Sequence, residues 1–193
     1  MLDDEVLAEF RASKALLEGH FLLSSGLHSA HYLQCARVLM DSDRAARLAL
    51  ALAGRLPREL RKDISKIVSP AMGGVIIGHE MGRALGVEAM FVERPGGTFE
   101  LRRGFALEPG DRILLVEDVI TTGLSSREAI AAITAAGGIV VAAASLVDRS
   151  GGTADIGVPF YPLIQLNFPA YAADALPPEL AATQAIKPGS RVA

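Results

Sequence analysis

Two segments of this chain, ILLV at residues 113–116 and IVVAAASLV at 139–147, are apolar at nearly every position, and a stretch with helical character, Ser125 to Ala136, separates them. Strands that show no in-out alternation are buried on both faces, which is the situation of a parallel sheet covered by helices on either side. The surrounding pattern agrees. IVS at 67–69 reads as a strand, Val75 to Leu85 as a helix and Val87 to Val92 as a strand. Glu93 to Pro109, rich in turn residues and charge, separates these from RILLVEDV. Strand and helix alternating in this way predict an α/β fold with a doubly wound, mostly parallel sheet.

Before this core, Val6, Phe10, Leu16 and Leu17 stand near helical spacing, and the sequence predicts a first helix over Leu2 to Leu17 with Gly19 as its C-cap. HFLLSSGLHSAHYLQC follows, two apolar runs around a Ser-Ser-Gly turn, and is expected to form a hairpin-like excursion. Asp41 or Ser42 offers an N-cap to a second helix over Arg44 to Leu56, which Pro57 stops. The Ala- and Pro-rich end from Tyr171 reads as a loose wrap or a short helix. The expected organisation is one domain over 1–193: an N-terminal helix and hood at 1–40, a core at 41–170 and a tail at 171–193.

Composition narrows the possible functions. With 193 residues, 50% hydrophobic and 21% charged, the chain can bury a full core, and disorder is excluded. No apolar run approaches the roughly 18 residues needed to cross a bilayer, so no membrane partner is expected. The acidic start MLDDEVLAEFR is unlike a secretory leader, and the single cysteine, Cys35, suits a reducing, cytoplasmic location. A net charge of -3 gives no electrostatic footprint for nucleic acid.

The chemistry concentrates in ILLVEDVITTGLS, residues 113–125. A buried strand ends in two carboxylates, Glu117 and Asp118. A loop of hydroxyls and glycine follows, Thr121, Thr122, Gly123, Leu124 and Ser125, and opens a helix. Backbone amides at a helix start, beyond the C-terminal edge of such a sheet, suit a phosphate monoester. Two carboxylates beside a phosphate repel it unless something intervenes. A ribose 2′,3′-diol donating to both acids, with Mg²⁺ close by, resolves the conflict, so the segment implies a ribose 5-phosphate ligand. Both acids serve one sugar only if strand pairing has ended by Glu117, because adjacent strand residues face opposite ways. The bland reading is a Ser125/Glu128 capping box after ordinary turn residues, but it leaves the acid pair unexplained.

Residues 113–125 resemble the 5-phosphoribosyl 1-diphosphate (PRPP) binding motif of type I phosphoribosyltransferases. GHFLLSSGLHSAHYLQ, SPAMGGVIIGHEMGRALG, FVER, LRRGF and VDRSGG narrow the resemblance to the orotate phosphoribosyltransferases, over about Gly19 to Gly152. The resemblance implies transfer of the phosphoribosyl group of PRPP to orotate, giving orotidine 5′-monophosphate and diphosphate in pyrimidine synthesis. Mg²⁺ would be held mainly through PRPP. The working unit would be a homodimer with loops exchanged between subunits.

It also assigns residues. Glu117 and Asp118 would hold the ribose hydroxyls, and Val119, Ile120 and Thr121 to Ser125 the 5-phosphate side. Met72 and Gly73, within Ser69 to Gly74, would offer amides to the diphosphate, although the residues by themselves favour a plain strand-to-helix turn for that loop. Thr121, Arg149, Ser25 and Tyr32 would contact orotate, Arg149 by pairing with its carboxylate. The bland alternative for Arg149 is a surface pair with Asp148.

Two departures stand out. Many family members carry a lysine where this chain has Ser24. Many also carry a Lys-x-x-Lys-x-His stretch in a mobile loop, where this chain has ERPGGTFELRRGF, leaving Arg94, Arg102 and Arg103 as the candidate catalytic cations. An arginine does not give up its proton near neutral pH, so these residues would act by charge stabilisation and orientation. His28 and His31 make a weak metal pair without a third ligand, His20 and His79 carry no assignment, and Cys35 reads as buried filler. A purine or xanthine phosphoribosyltransferase, or a PRPP-sensing regulator, would share residues 117–125. A Rossmann or P-loop site is disfavoured because neither GxGxxG nor GxxxxGK occurs.

Overall fold

The computed structural model describes residues 1–23 and 25–188. Along the chain run α1 (Asp3–Ala12), β1 (Leu16–Leu22), β2 (His28–Leu33), α2 (Cys35–Leu39), α3 (Ser42–Arg55) and α4 (Arg58–Asp63). The core continues with β3 (Lys66–Pro70), α5 (Gly74–Leu85), β4 (Glu88–Glu93), β5 (Glu100–Leu101), β6 (Arg112–Ile120), α6 (Leu124–Ala135), β7 (Ile139–Asp148) and β8 (Phe160–Gln165). β9 (Ala170–Tyr171) and α7 (Pro178–Ala181) complete the described elements.

The main sheet has the order β5-β4-β3-β6-β7-β8. Neighbours from β4 to β8 pair in parallel, and the two-residue β5 runs antiparallel against β4. The alternation along β6 divides the core. Leu114 and Val116 pack with Ile77 and Met81 of α5 and with Leu48 and Leu52 of α3, whereas Ile113 and Leu115 pack with Ala129 and Ile133 of α6. Both faces of the central strand are therefore apolar, which is why its sequence lacks period-two patterning. The chain enters the sheet at β3, adds β4 on one side and then returns to place β6 on the other. The strand order reverses between β3 and β6, and beyond the carboxyl ends of those two strands a doubly wound sheet leaves a crevice.

The second helix forms as the sequence predicts: Asp41 is its N-cap and accepts a 2.8 Å hydrogen bond from the Arg44 amide. The first helix is shorter than predicted. Lys14 takes a positive φ of 54°, the Ser13 hydroxyl donates to the Glu9 and Phe10 carbonyls, and the helix closes there. Leu16 and Leu17 lie instead in β1, opposite Leu33 and Tyr32 of β2, and Gly19 falls inside that strand at a register irregularity rather than at a C-cap. Their apolar spacing came from two elements, not one.

β1 and β2 form the expected hairpin, and its small sheet is completed from the other end of the chain. β9 pairs antiparallel with β2, and Ile186 makes an isolated parallel bridge to Phe21. The hood is thus built from both ends of the sequence.

Candidate functional site

β6 ends at the switch point, and its last residues are held on one side only. Pairing with β3 stops at Leu115, whereas pairing with β7 continues through Glu117 opposite Ser145 to Ile120 opposite Asp148. The expectation that pairing has ended by Glu117 is therefore met on the β3 side and corrected on the β7 side. Glu117 and Asp118 keep strand alternation and point to opposite faces, so a shared ligand has to straddle the open end of the strand.

Glu117 faces α6. It is 6% exposed and accepts a 3.1 Å hydrogen bond from the Ser126 hydroxyl. Burial is the main reason its pKa rises to about 8; the neighbouring Asp118 charge pushes the same way, and Ser126 and Arg94 oppose the shift. Asp118 faces the start of α5, and burial raises its carboxyl too, against backbone hydrogen bonds. A Cβ on Gly73 would lie 2.6 Å from an Asp118 carboxylate oxygen, so only glycine permits the loop after β3 to come this close. In that loop the Ala71–Met72 peptide is cis, the Ala71 amide donates to the Val92 carbonyl at 2.8 Å, and Met72 is exposed.

After β6 the chain turns into α6 through Gly123, at φ +73°, where a Cβ would sit 2.5 Å from Ile156. The N-cap residue Gly123 has no side chain to cap α6, and the Thr122 hydroxyl accepts a long 3.4 Å hydrogen bond from the Leu124 amide. Ser125 is not the cap, and Glu128 pairs with Arg94 rather than reaching back, so the capping-box reading fails. A twelve-residue helix whose N-cap is a glycine, with its Leu124 amide bonded only weakly to Thr122 and with exposed Thr121 and Thr122 before it, retains capacity for an anion. Ala71, Arg94, Phe99, Glu117, Val119, Thr121 to Ser126 and Glu128 line one cavity of about 470 Å³. Val119, Thr121, Thr122, Gly123, Leu124 and Ser125 thus reach it together, whereas Ile120 is buried beneath. Ser126, not singled out from sequence, is the residue that orients Glu117.

A second cavity, of about 380 Å³, is lined by Leu22, Leu23, Ser25, Tyr32, Thr121, Arg149, Lys187 and Pro188. Thr121 belongs to both cavities. Arg149 is fixed by its own amide, which donates to the Ile120 carbonyl at 2.8 Å, and its Nε is buried without a hydrogen-bond partner. Burial pulls its guanidinium below the usual value. The surface-pair alternative for Asp148 and Arg149 is corrected. Asp148 is fully buried and accepts hydrogen bonds from the Ser150 amide and hydroxyl, the Gly152 amide and the Gln165 side chain, shaping the loop that carries Arg149. Ser25, Tyr32, Thr121 and Arg149 are thereby brought together. Ser24 lies outside the described residues.

The three arginines separate. Arg94 lines the first cavity, paired with Glu128 and lying 4.1 Å over the Phe99 ring. Arg103 is held by Glu93 through two hydrogen bonds of 2.8 and 2.7 Å, and neither it nor Arg102 lines either cavity. The histidines separate as well. His28 bonds to His20 at 2.6 Å, while His31 stacks on Phe168 at 4.5 Å. Cys35 is buried, with its thiol pushed well up by desolvation.

Among the described residues no cluster of three or more metal-ligating side chains occurs. Two desolvated carboxylates near the N-terminus of α6 nevertheless suit a hard divalent cation that would take most of its oxygens from a phosphate ligand.

The phosphoribosyl transferase domain family model matches residues 39–171. Over 191 residues, 99% of this chain and 98% of the relative, the sequence is 78% identical to an orotate phosphoribosyltransferase of Novosphingobium aromaticivorans. It is 73% identical to that of Sphingopyxis alaskensis over 192 residues, again 99% and 98% of the two chains. Among solved structures, the orotate phosphoribosyltransferase of Aeropyrum pernix superposes with a TM-score of 0.65 at 25% identity, covering 83% of this chain and 93% of that one. The acid pair, the glycine-led helix start and the arginine cavity therefore sit in a chain that belongs to the orotate phosphoribosyltransferase family.

Proposed function

We propose that this protein transfers the phosphoribosyl group of PRPP to orotate, giving orotidine 5′-monophosphate and diphosphate in pyrimidine synthesis. The observation that carries the reading is the pair of adjoining cavities at the switch point. One offers the Glu117 carboxylate and helix amides to a phosphorylated sugar, with Asp118 on the opposite face of the same strand end, the other offers the Arg149 guanidinium to a planar anion, and Thr121 lines both.

In this account the 5-phosphate sits on the amides of 122–125, and the ribose hydroxyls donate to Glu117 and Asp118 across the strand end. The diphosphate lies along Met72 and Gly73. Glu117, favouring its protonated form in the free protein, would release that proton to solvent as the ribose hydroxyls donate to its carboxylate and the divalent cation accompanying the anionic donor comes near. Mg²⁺, bound mainly through the donor, supplies charge neutralisation for the diphosphate. Arg149 pairs with the orotate carboxylate, and Ser25 and Tyr32 frame the ring. The C1′–O bond lengthens toward an oxocarbenium-like state as the orotate ring nitrogen approaches from the opposite face; diphosphate departs with the bonding pair, the C1′–N bond forms, and the ring N–H proton passes to solvent. The protein's contribution is positioning and electrostatics, with no enzyme nucleophile.

Arg94 is placed to stabilise charge within its own cavity. Arg102 and Arg103, outside both cavities, are proposed to act in the site of a second copy, which makes the working unit a homodimer. No helix among the described residues is long and apolar enough to cross a membrane. We place the enzyme in the cytoplasm, in keeping with its single buried thiol.

The test is orotate consumption, followed by its absorbance, with and without PRPP and Mg²⁺. Turnover that needs both, and is absent with hypoxanthine, adenine or xanthine in place of orotate, is expected. Turnover of a purine instead would overturn the reading.

A further inference from the structure

The turn that follows β6 is fastened from outside the cavity it lines. Arg127 is the fourth residue of α6, whose first turn carries no acid. A cation at that position opposes the partial positive charge of the helix start, so as a helix residue it is unfavourable and calls for another reason. Helical side chains lean toward the N-terminus, and that of Arg127 returns to the loop before its own helix. Its Nη1 donates to the Thr122 carbonyl at 3.1 Å and to the Asp155 carbonyl at 2.7 Å.

The two acceptors belong to different loops. Asp155 lies between β7 and β8 in a segment that is itself ordered: the Asp155 carboxylate accepts from the Gly157 amide at 3.0 Å, and Ile156 is buried. Gly123 packs against that segment and against the guanidinium, because an added Cβ would lie 2.5 Å from Ile156 and 3.2 Å from the Arg127 Nη1. The Thr122 carbonyl and the Gly123 amide share one trans peptide plane and point in opposite directions. Holding the carbonyl toward Arg127 therefore aims the amide the other way. Thr122 and Gly123 line the cavity assigned to the donor, whereas Arg127 does not.

We propose that Arg127 is a positioning residue for the 5-phosphate: by tying the Thr122 carbonyl to the segment at 155–157 it turns the Gly123 amide into the cavity and holds the phosphate-binding turn in shape before the donor arrives. The proposal rests on the transfer from PRPP argued above and adds to it the residue that shapes the phosphate turn.

Arg127→Met keeps an apolar stem and removes both donations, and Arg127→Lys keeps the charge on a side chain of shorter reach. Both replace an exposed side chain, so the fold is retained. The readouts are calorimetric binding of ribose 5-phosphate and of diphosphate with Mg²⁺, and steady-state constants for PRPP and orotate. For Arg127→Met the ribose 5-phosphate Kd and the PRPP KM should rise by about fivefold or more, the range for lost hydrogen bonds, while the diphosphate Kd and the orotate KM at saturating PRPP stay within about twofold. Between about 0.05 M and about 0.5 M salt the loss should persist, whereas a through-space attraction between Arg127 and the phosphate would be screened away. Arg127→Lys should recover less than half of the loss. Unchanged ribose 5-phosphate binding, an equal loss for diphosphate, a loss that vanishes at the higher salt, or full recovery in Arg127→Lys would overturn the proposal. A wild-type protein that consumes orotate while Arg127→Met binds ribose 5-phosphate equally well refutes this role alone. A wild-type protein that binds neither ribose 5-phosphate nor PRPP removes the functional reading and this role with it.

Discussion

At the scale of single residues, Glu117 and Asp118 show what a buried acid pair does to a protein that has to wait for its ligand. Glu117 binds a proton in the folded state up to about pH 8 but only to about 4.5 once unfolded, so the fold holds more protons across that window and its stability falls as pH rises. Thermal unfolding of the metal-free protein should show a lower Tm at pH 8 than at pH 5. Glu117→Gln, which keeps the Ser126 contact without the ionisable group, should flatten that slope and raise stability at pH 8 by an amount on the order of 1–3 kcal/mol. A wild-type Tm that does not fall over this range would contradict the burial argument. Asp118→Asn should weaken PRPP binding by about tenfold or more, read by calorimetry, without lowering Tm at pH 8, because burial disfavours this carboxylate too. Gly73→Ala is the steric counterpart. Its Cβ would meet the Asp118 carboxylate at 2.6 Å, so donor affinity should fall although the residue carries no chemistry; an unchanged affinity would detach the loop after β3 from the donor site. The acid pair was readable in the sequence because charge ending an apolar strand has no structural excuse. Ser126 was not, because a serine in the first turn of a helix is ordinary until its partner is known.

At the scale of elements, legibility followed periodicity. β6, β7, α3, α5 and α6 announce themselves through continuous or helical apolar patterns, and their observed ranges agree with the sequence to within a few residues. The first helix was overextended, because Leu16 and Leu17 carry the right spacing for the wrong element and the stop is made by backbone geometry at Lys14. β8 was not anticipated; its proline and mixed polarity conceal a strand that pairs in parallel with β7. The segment that carries Arg149 was legible as a motif, but its cause was not. Four hydrogen bonds converge on the buried Asp148 from residues as far away as Gln165. Asp148→Asn should therefore damage the acceptor side through Arg149, raising the orotate KM more than the PRPP KM. Equal effects on both would mean that the loop has merely unfolded.

For the whole molecule, the decisive feature is where the strand order reverses. The loops after β3 and β6 flank that point, one built for close approach by glycine and the other leading through Gly123 into a helix start, so two distant sequence motifs meet in one crevice. Topology was inferable from the alternation of elements, but the closure of the hood by the chain's own end was not. β9 and Ile186 add to β1 and β2 through backbone bonds that leave no mark on side-chain pattern. If Arg103 serves the site of a second copy, mixing Arg103→Ala with Asp118→Asn subunits should restore activity to about a quarter of wild type, because half the dimers would be mixed and one of their two sites intact. Activity no greater than the sum of the two variants would confine Arg103 to its own subunit.

The account stands on a sugar phosphate lodged across the end of β6, and a crystal structure of the protein with PRPP and Mg²⁺ tests it most directly. Density for the 5-phosphate on the amides of 122–125, with the ribose hydroxyls within hydrogen-bond distance of Glu117 and Asp118, is the predicted result. A donor bound elsewhere, or both carboxylates turned away from the ribose, would contradict it.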